Sequence, residues 1–417
     1  MKIKRDSFLN KLISLRHNGL IKVVSGVKRC GKSYLLFDLF YNWLLEDGVK
    51  EDHIIKIDLE DLRNEPLRDP KILLDYIDDK IKFGDMHYIM IDEIQLVDRF
   101  EEVLNSYLKI KNVDVYVTGS NARFLSKDIV TTFRGRSYEV NLRPLSFSEF
   151  FSVYEGSKES ALDEYMTFGG LPQVVQLQTD QLKSEYLKAL FEQTYIKDIK
   201  QRNKIRNDSV IQELLDIISS SVGSLTNPTK LSNTFESVKH VSVSRNTIVD
   251  YLDYISDAFL VDKVLRYDLK GKRYVERLYK YYMVDCGLRN ARLNFRQIEP
   301  THLMENIIYN ELRYRGYNVD VGIVPAVVLN SDGSQKRISY EIDFVCNQGS
   351  KRYYIQSAYR MTNQEKVQQE QRSLINIPDS FKKIIIVYDD IHPRRDDNGI
   401  TTISIYDFLL KPNSLDI

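Results

Sequence analysis

The feature that most constrains this chain is the segment Gly26-Val-Lys-Arg-Cys-Gly-Lys-Ser33, which matches the pattern G-x-x-x-x-G-K-[ST] in full. A short apolar segment typical of a strand, Ile21 to Ser25, precedes it, and a helical pattern starts at Tyr34. In this context the backbone N–H groups of the loop surround phosphates at a helix N-terminus. The sequence therefore predicts a phosphate-binding loop and not merely a glycine-rich turn.

The loop supplies both charge and metal ligands for a nucleotide. Lys32 would reach the β- and γ-phosphates of ATP, and the Ser33 hydroxyl would ligate Mg²⁺. The predicted nucleotide-contacting residues of the loop are Gly26, Val27, Lys28, Arg29, Cys30, Gly31, Lys32, Ser33 and Tyr34.

A second segment supplies the carboxylates that such a loop requires. The apolar strand pattern His87 to Ile91 ends in Asp92 and Glu93. Asp92 would hold Mg²⁺ through water, and Glu93 would polarise the attacking water. Asp58 and Glu60 are a rival pair. We favour Asp92 and Glu93 because they end an uninterrupted apolar run.

Short apolar segments alternate with helix-length segments from Gly19 to about Leu145. Near-continuous apolar strands flanked by helices indicate a parallel sheet that is covered on both faces. The predicted strands are Ile21 to Ser25, Ile54 to Leu59, Tyr88 to Ile91 and Val113 to Val117, and the longest predicted helices are Lys32 to Leu45, Pro70 to Phe83 and Phe100 to Lys109.

Several motifs occur in an order that resembles a known group. Gly26 to Ser33, Met90 to Gln95, Val117 to Asn121, Arg143 to Phe150 and Phe168 to Pro172 follow one another along the chain. In this they are similar to prokaryotic AAA+ ATPases of AAA family 14, whose C-terminal region is known as DUF 4143. The resemblance covers nearly the whole chain and implies ATP and Mg²⁺ as cofactors.

Further residues near the nucleotide are expected on the same grounds. Ser120 or Asn121 would take the sensor-1 position and orient the water, the alternative being a polar turn. Arg134 or Arg136 would act as an arginine finger on a neighbouring subunit, the alternative being a solvated charge pair. The resemblance also implies that Pro172 lies near the adenine.

The middle region reads as three helices and a hairpin, an order that resembles a winged helix-turn-helix. Ser244 is the predicted N-cap of its third helix, and Ser244, Arg245 and Asn246 would lie where groove-contacting residues belong. Because Lys+Arg 59 balances Asp+Glu 59, nucleic acid would have to bind a local basic patch. The basic residues nearby are Lys197, Lys200, Arg202, Lys204, Arg206, Lys270, Lys272 and Arg273. Packing against a subunit or partner is the alternative.

The C-terminal block resembles the PD-(D/E)XK nuclease fold. Glu305 would be its helix acid and Asp343 its first strand acid. Gln356 stands where the second acid should be, and Ala358 where the lysine should be. An amide is a poor metal ligand and alanine cannot act as a base, so we expect a binding platform without nuclease activity.

The predicted fold is α/β, in four parts. Residues 1–146 form a P-loop AAA+ core, 147–206 a helical lid and linker, 207–297 a winged-helix-like domain, and 298–417 a nuclease-like domain. The predicted function is Mg-dependent ATP hydrolysis that remodels DNA or a protein partner. The alternatives are a nucleotide-dependent signalling switch with little turnover and an ATP-gated nuclease.

Composition limits the remaining possibilities. No apolar run approaches the ~18–20 residues of a membrane span, so no membrane partner is expected. Three widely spaced cysteines argue against a disulfide scaffold and for a reducing cytoplasm. The resemblance and the arginine candidates favour a homo-oligomer. Cys30, in the phosphate loop beside Lys28, Arg29 and Lys32, is expected either as a reactive thiolate or as a buried apolar residue.

Overall fold

The structure is a computed structural model that describes residues 3–82, 84–120, 135–203, 205, 207–329, 334–361 and 363–417. The chain divides into two compact units. The first consists of Met1–Pro144 with Asp257–Phe259, and the second of Leu145–Ser256 with Leu260–Ile417.

The first unit is built on a five-stranded parallel sheet. Its strands are β1 (Ile21–Ser25), β2 (Ile54–Asp58), β3 (His87–Asp92), β4 (Val113–Gly119) and β5 (Ser137–Asn141). Their order is β2-β3-β4-β1-β5, and every neighbouring pair is parallel. All residues of β1 and β3 are buried, as expected for strands covered on both faces.

Helices of this unit alternate with the strands, as the sequence predicts, and one further helix precedes β1. They are α1 (Asp6–Ser14), α2 (Lys32–Tyr34), which continues through the π-helix Leu35–Phe40 into α3 (Tyr41–Glu46), α4 (Pro70–Asp78) and α5 (Phe100–Tyr107). Short 3₁₀ helices span Glu51–His53, Leu62–Arg68 and Ile94–Leu96. Leu73 of α4 and Leu104 of α5 belong to one hydrophobic core with Ile89 and Ile91 of β3.

Strand direction places the polar motifs at one edge of the sheet. Because the strands are parallel, their carboxyl ends meet at the same edge. The segments that follow β1, β3 and β4 are the phosphate loop, Glu93 and Ser120, and β4 lies between β1 and β3. This edge is where the sheet brings the predicted nucleotide-binding groups together.

The second unit begins with helices and continues as a mixed α/β structure. From residue 145 onward the helices are α6 (Phe147–Phe151), α7 (Lys158–Phe168), α8 (Asp180–Leu190), the π-helix Phe191–Ile196, α9 (Lys197–Asn203), α10 (Asp208–Ser220), α11 (Pro228–Lys239), α12 (Arg245–Asp257), α13 (Cys286–Arg292), α14 (Pro300–Tyr314), α15 (Gln364–Ile375) and α16 (Ile405–Leu410). A 3₁₀ helix spans Val174–Gln176.

A turn at Gly169-Gly170 ends α7 and is held by one buried carboxylate. Asp285 accepts hydrogen bonds from the backbone N–H of Gly170 at 2.7 Å and of Leu288 at 2.9 Å. A Cβ at Gly169 would lie 2.2 Å from Asp285 Oδ1, so this close approach requires glycine. Burial raises the pKa of Asp285 to about 6, although these N–H donors oppose the shift.

One nine-stranded sheet runs through the second unit. Its strands are β6 (Leu225–Thr226), β7 (Val261–Asp268), β8 (Arg273–Met283), β9 (Asn318–Leu329), β10 (Gln335–Gln348), β11 (Lys351–Ala358), β12 (Lys382–Val387), β13 (Arg394–Arg395) and β14 (Ile400–Ser404). The order is β13-β14-β12-β11-β10-β9-β7-β8-β6. Strand β7 pairs with β9, so the sheet continues across the boundary predicted at residues 297/298. The division of this unit into a lid (147–206), a winged-helix-like domain (207–297) and a nuclease-like domain (298–417) stays a prediction.

Candidate nucleotide site

Two glycines of the loop after β1 adopt backbone conformations that other residues rarely adopt. Gly26 has φ 143° and Gly31 has φ 99°, both in the region that favours glycine. A Cβ at Gly26 would lie 2.1 Å from the backbone oxygen of Leu142, so there is no room for a side chain. Helix α2 starts directly after Gly31. The two glycines of the motif therefore allow the chain to turn sharply into a helix N-terminus.

Lys32 points its ammonium group back over this loop. Its Nζ donates to the backbone oxygen of Gly26 at 3.2 Å and of Val27 at 3.4 Å. The same Nζ lies 3.8 Å from Glu93 Oε1, and the side chain is 5% exposed. A buried cation held on two loop carbonyls and beside a carboxylate is placed to bind an anion that enters the loop.

Ser33 and Asp92 meet across the edge of the sheet. Ser33 Oγ donates to Asp92 Oδ2 at 2.7 Å. Asp92 Oδ1 accepts from Thr118 Oγ1 of β4. Burial raises the pKa of Asp92 to about 6, although the Thr118 and Ser33 hydroxyls lower it in part. The hydroxyl and the carboxylate are the ligand types that Mg²⁺ takes in phosphate-loop proteins, so these residues fit that ion.

Glu93 is held in a fixed position immediately after β3. It adopts φ 50°, and its backbone N–H donates to Thr118 Oγ1 at 2.9 Å. Its Oε2 accepts from Ser120 Oγ at 2.9 Å and from Gln95 Nε2. Two donors and a neighbouring lysine therefore hold the carboxylate in one orientation.

The rival acidic pair lies farther from the loop. Asp58 ends β2, which is an edge strand, and pairs in register with Asp92. Its Oδ1 accepts from the backbone N–H of Glu60 at 2.9 Å, a local turn contact. Both β3 and β4 separate β2 from β1. Asp92 and Glu93, and not Asp58 and Glu60, therefore face Lys32 and Ser33.

Two contributors were not singled out from the sequence. Thr118 bonds both Asp92 and the backbone of Glu93, and Gln95 bonds the Glu93 carboxylate. Both residues lie within motifs that carry the family resemblance, but the sequence alone did not indicate what either of them contacts. Of the two sensor candidates, Ser120 is buried and reaches Glu93, whereas Asn121 lies outside the described residues.

The reactive-thiolate expectation for Cys30 is wrong. The side chain is fully buried, and its Sγ lies 3.5 Å from the backbone oxygen of Leu142. Burial raises the pKa of the thiol, and the charges of Lys32 and Arg5 offset this only in part. Desolvation outweighs the nearby cations, so Cys30 packs as a small apolar residue beneath the loop.

Only one of the two arginine-finger candidates lies in the described residues. Arg134 falls outside them, and Arg136 is exposed and directly precedes β5. The backbone oxygen of Arg136 accepts from the N–H of Ile21, at the amino end of β1. Five residues of β1 rise about 3.3 Å each, so the backbone of Arg136 is roughly 15 Å from the loop edge. Arg136 therefore lies away from the phosphate loop of its own chain.

The groove-contacting candidates lie at the start of a helix. Ser244 caps α12, since the N–H of Thr247 donates to Ser244 Oγ at 3.1 Å, as predicted. Ser244, Arg245 and Asn246 are all exposed. A cavity of about 150 Å³ is lined by Arg245 and Asn246 together with Lys263 of β7. Pro172 is half-buried in the second unit.

The nuclease-like acids are brought close together in the second unit. Glu305 of α14 and Asp343 of β10 both contact the ammonium group of Lys280, at 3.0 and 3.7 Å. Gln356 Oε1 accepts from Ser373 Oγ at 3.4 Å, and Ala358 is buried. Sequence reasoning missed Lys280 and also Glu341, which lies 2.9 Å from the same ammonium group.

Two absences hold for the part of the chain that the structure describes. In those residues there is no group of three or more His, Cys, Asp or Glu side chains placed to hold a metal ion. Within the same ranges, no helix has the length and apolarity needed to cross a membrane.

Comparison with protein families identifies two regions. The profile of an AAA domain, that of family 14, matches residues 18–151. The profile of a domain of unknown function, DUF8612, matches residues 159–299. The second match corrects our expectation of a DUF 4143 region. The later segments that are similar to the DUF 4143 type are short and weak singly, so they did not separate the two domain types; they are Asn246 to Leu260, Lys280 to Leu288, Glu305-Asn306 and Glu341 to Phe344.

Comparison with whole proteins extends the similarity over the chain. An uncharacterized protein of Haemophilus influenzae is 32% identical over 415 residues, covering 98% of this chain and 99% of that protein. An uncharacterized protein of Methanocaldococcus jannaschii is 29% identical over 390 residues, covering 89% and 82%. Among solved structures, a Walker-type ATPase of Pyrococcus abyssi is similar with a TM-score of 0.50 and 14% identity, over 70% of this chain and 96% of that one. At that identity the similarity shows a shared fold.

Proposed function

The chain belongs to the same family as the Haemophilus influenzae protein and carries an AAA domain, and from this premise we propose that it binds Mg-ATP and hydrolyses it. The observation that carries the proposal is the convergence of Lys32, Ser33, Asp92 and Glu93 at one edge of the parallel sheet. These residues supply a cation for phosphate, two metal ligands and a carboxylate for water, which is the set that phosphoryl transfer to water needs.

Each residue has a distinct part in the proposed reaction. The N–H groups of residues 26–34 and the Lys32 ammonium bind the β- and γ-phosphates. Ser33 and Asp92 would hold Mg²⁺, which neutralises charge on the phosphates when bound. Glu93 accepts the hydrogen bond of the attacking water, and Ser120 and Gln95 keep its carboxylate aimed. Proximity and electrostatic stabilisation supply most of the acceleration in such reactions.

Oligomerisation would complete the site. Arg136 lies at the opposite edge of the sheet from its own phosphate loop. An exposed guanidinium in that position is suited to reach the γ-phosphate of a neighbouring subunit, as arginine fingers do. We also propose, from the sequence alone, that Asn121 helps to orient the water, that Arg134 is an alternative arginine finger and that Pro172 lies near the adenine.

We propose that ATP hydrolysis drives the remodelling of DNA or of a protein partner. Elements α10, β6, α11, α12, β7 and β8 follow the winged-helix order, and β6 pairs with β8. Exposed Arg245 and Asn246 at the start of α12, with exposed Lys270, Lys272 and Arg273 at the β7–β8 turn, support DNA as the partner. The helical segments over 147–206 are proposed as the lid.

The C-terminal elements support a nuclease-like platform. Helix α14 is followed by the antiparallel strands β9, β10 and β11, then by α15 and by β12, which is parallel to β11. Gln356 and Ala358 lack the charge that metal-dependent cleavage needs. The three cysteines are free and buried, which fits the reducing cytoplasm that we propose as its location.

Steady-state ATPase assays test the proposal. The wild-type protein is expected to release phosphate from Mg-ATP. Glu93→Gln should bind ATP but hydrolyse it at least about a hundredfold more slowly, which is the loss of rate typical when a general base is removed. Adding duplex DNA should raise the wild-type rate. Wild-type turnover in Glu93→Gln would refute the role of Glu93. Tight ATP binding with negligible wild-type turnover, with and without DNA, would instead favour the signalling switch.

A further inference from the structure

Three carboxylates of the second unit converge on a single lysine. Lys280 of β8 is 4% exposed. Its Nζ lies 3.0 Å from Glu305 Oε1, 2.9 Å from Glu341 Oε1 and 3.7 Å from Asp343 Oδ1. The carboxylates come from α14 and β10, whereas the ammonium comes from a strand of the preceding hairpin.

The remaining contacts of these carboxylates also go to protein donors. Glu305 Oε1 accepts from Tyr282 Oη at 2.7 Å, and Asp343 Oδ2 accepts from the backbone N–H of Ser357 at 2.9 Å. Carboxylate oxygens around one point are the type of donor that divalent cations take in proteins, although these three are not already placed to hold a metal ion. Here an ammonium group occupies the point.

The geometry points to Lys280 as a resident cation that takes the place of a divalent metal in this carboxylate cluster. It would thereby join the β7–β8 hairpin to α14 and β10 without any metal. Charge balance fits this assignment. Burial opposes the charged lysine, but the carboxylates of Glu305, Asp343 and Glu341 outweigh it and hold the pKa of Lys280 well above its usual range.

The three acids differ in how far they are buried. Burial raises the pKa of Asp343 to about 8, and the charge of Glu305 adds to the shift. The Glu341 side chain is one-third exposed, whereas those of Glu305 and Asp343 are 14% and 11% exposed. A divalent ion could enter only by displacing a buried ammonium, which the surrounding carboxylates disfavour.

The test removes the ammonium and asks whether a metal can replace it. Thermal unfolding of the full chain without nucleotide is followed with EDTA and with Mn²⁺, for the wild type, Lys280→Met and Lys280→Gln. Both neutral variants should be destabilised in EDTA and should gain roughly 5 °C at a hundredfold excess of Mn²⁺ over its Kd. The wild type should show no such gain, and the phosphate loop, common to all, cancels in the comparison.

Matched controls separate this site from general effects. Lys263 of β7 pairs with one carboxylate, Asp253, at 3.4 Å, so Lys263→Met should show no Mn²⁺ response. Asp343→Asn added to Lys280→Met should abolish the gain. A Mn²⁺ gain in the wild type that Asp343→Asn removes would overturn the proposal. So would neutral variants that fold without responding to Mn²⁺, or that fail to fold both with and without it.

Discussion

The Gly26→Ala substitution tests whether the phosphate loop depends on the absence of one side chain. The new Cβ would lie 2.1 Å from the backbone oxygen of Leu142 and 3.2 Å from Cys30 Sγ. Gly26 also has φ 143°, a conformation that alanine rarely adopts. The loop must therefore move away from β5 or take up a different backbone conformation, and either change displaces the N–H groups that would bind phosphate.

The expected cost has two parts that a control variant separates. The backbone conformation should cost about 1–3 kcal/mol of unfolding free energy, and the steric overlap with Leu142 another 1–3 kcal/mol. Gly19 has φ 72° and a Cβ there would have nothing within 4 Å, so Gly19→Ala carries only a backbone cost. Gly26→Ala should therefore be the less stable variant by about 1–3 kcal/mol, the steric part.

Urea denaturation gives the two free energies, and titration with a fluorescent ATP analogue gives the affinities. Gly19→Ala should bind the analogue as the wild type does, since Gly19 precedes β1 at the opposite edge of the sheet. Gly26→Ala should lose binding. Equal stability and equal affinity in the two variants would show that the contact with Leu142 does not shape the loop.

The remaining predictions concern three side chains. Burial raises the folded-state pKa of Asp285 from 3.8 to about 6, so the stability that it contributes is present below about pH 4 and is lost as the pH rises through 6. The unfolding free energy of the wild type relative to Asp285→Asn should fall by about 3 kcal/mol over that range. A difference that stays constant with pH would refute this. Cys30 should react with iodoacetamide far more slowly in the folded protein than in urea, and rapid labelling of folded protein by mass spectrometry would contradict its burial. If Arg136 acts on a neighbour, the ATPase rate per subunit should rise with protein concentration, and mixing Arg136→Ala with Glu93→Gln subunits should restore activity; a concentration-independent rate from a monomer would exclude the finger.

Local patterns predicted the elements of the first unit well. The predicted strand Ile21 to Ser25 has the same bounds as β1, and the predicted strand from Val113 ends two residues short of the observed end of β4. Apolar runs that are buried on both faces leave little ambiguity about where a central strand lies. In the second unit β8 begins at Arg273, and the exposed Arg273 and Tyr274 belong to no apolar run from which that start could have been predicted.

Contacts between distant segments could not be read from the sequence. Lys280 meets Glu305 across 25 residues and two different elements, and nothing in the local pattern of β8 marks it as the partner of three acids. The burial of Cys30 likewise depends on Leu142, 112 residues later. Such contacts follow from sheet order and register, which are set by the packing of the whole unit.

The most direct test of the account is the binding of Mg-ATP measured by isothermal titration calorimetry. The wild type should bind at one site per chain. Lys32→Ala should lose about 2–5 kcal/mol of binding free energy, since it removes a buried cation that pairs with phosphate. Lys111→Ala is the matched control, because Lys111 is exposed and lies two residues before the amino end of β4, the end farthest from the loop. The account predicts wild-type affinity for Lys111→Ala and at least a thirtyfold loss, on the order of 2 kcal/mol, for Lys32→Ala. Equal affinities of the two variants, or no binding by the wild type, would contradict it.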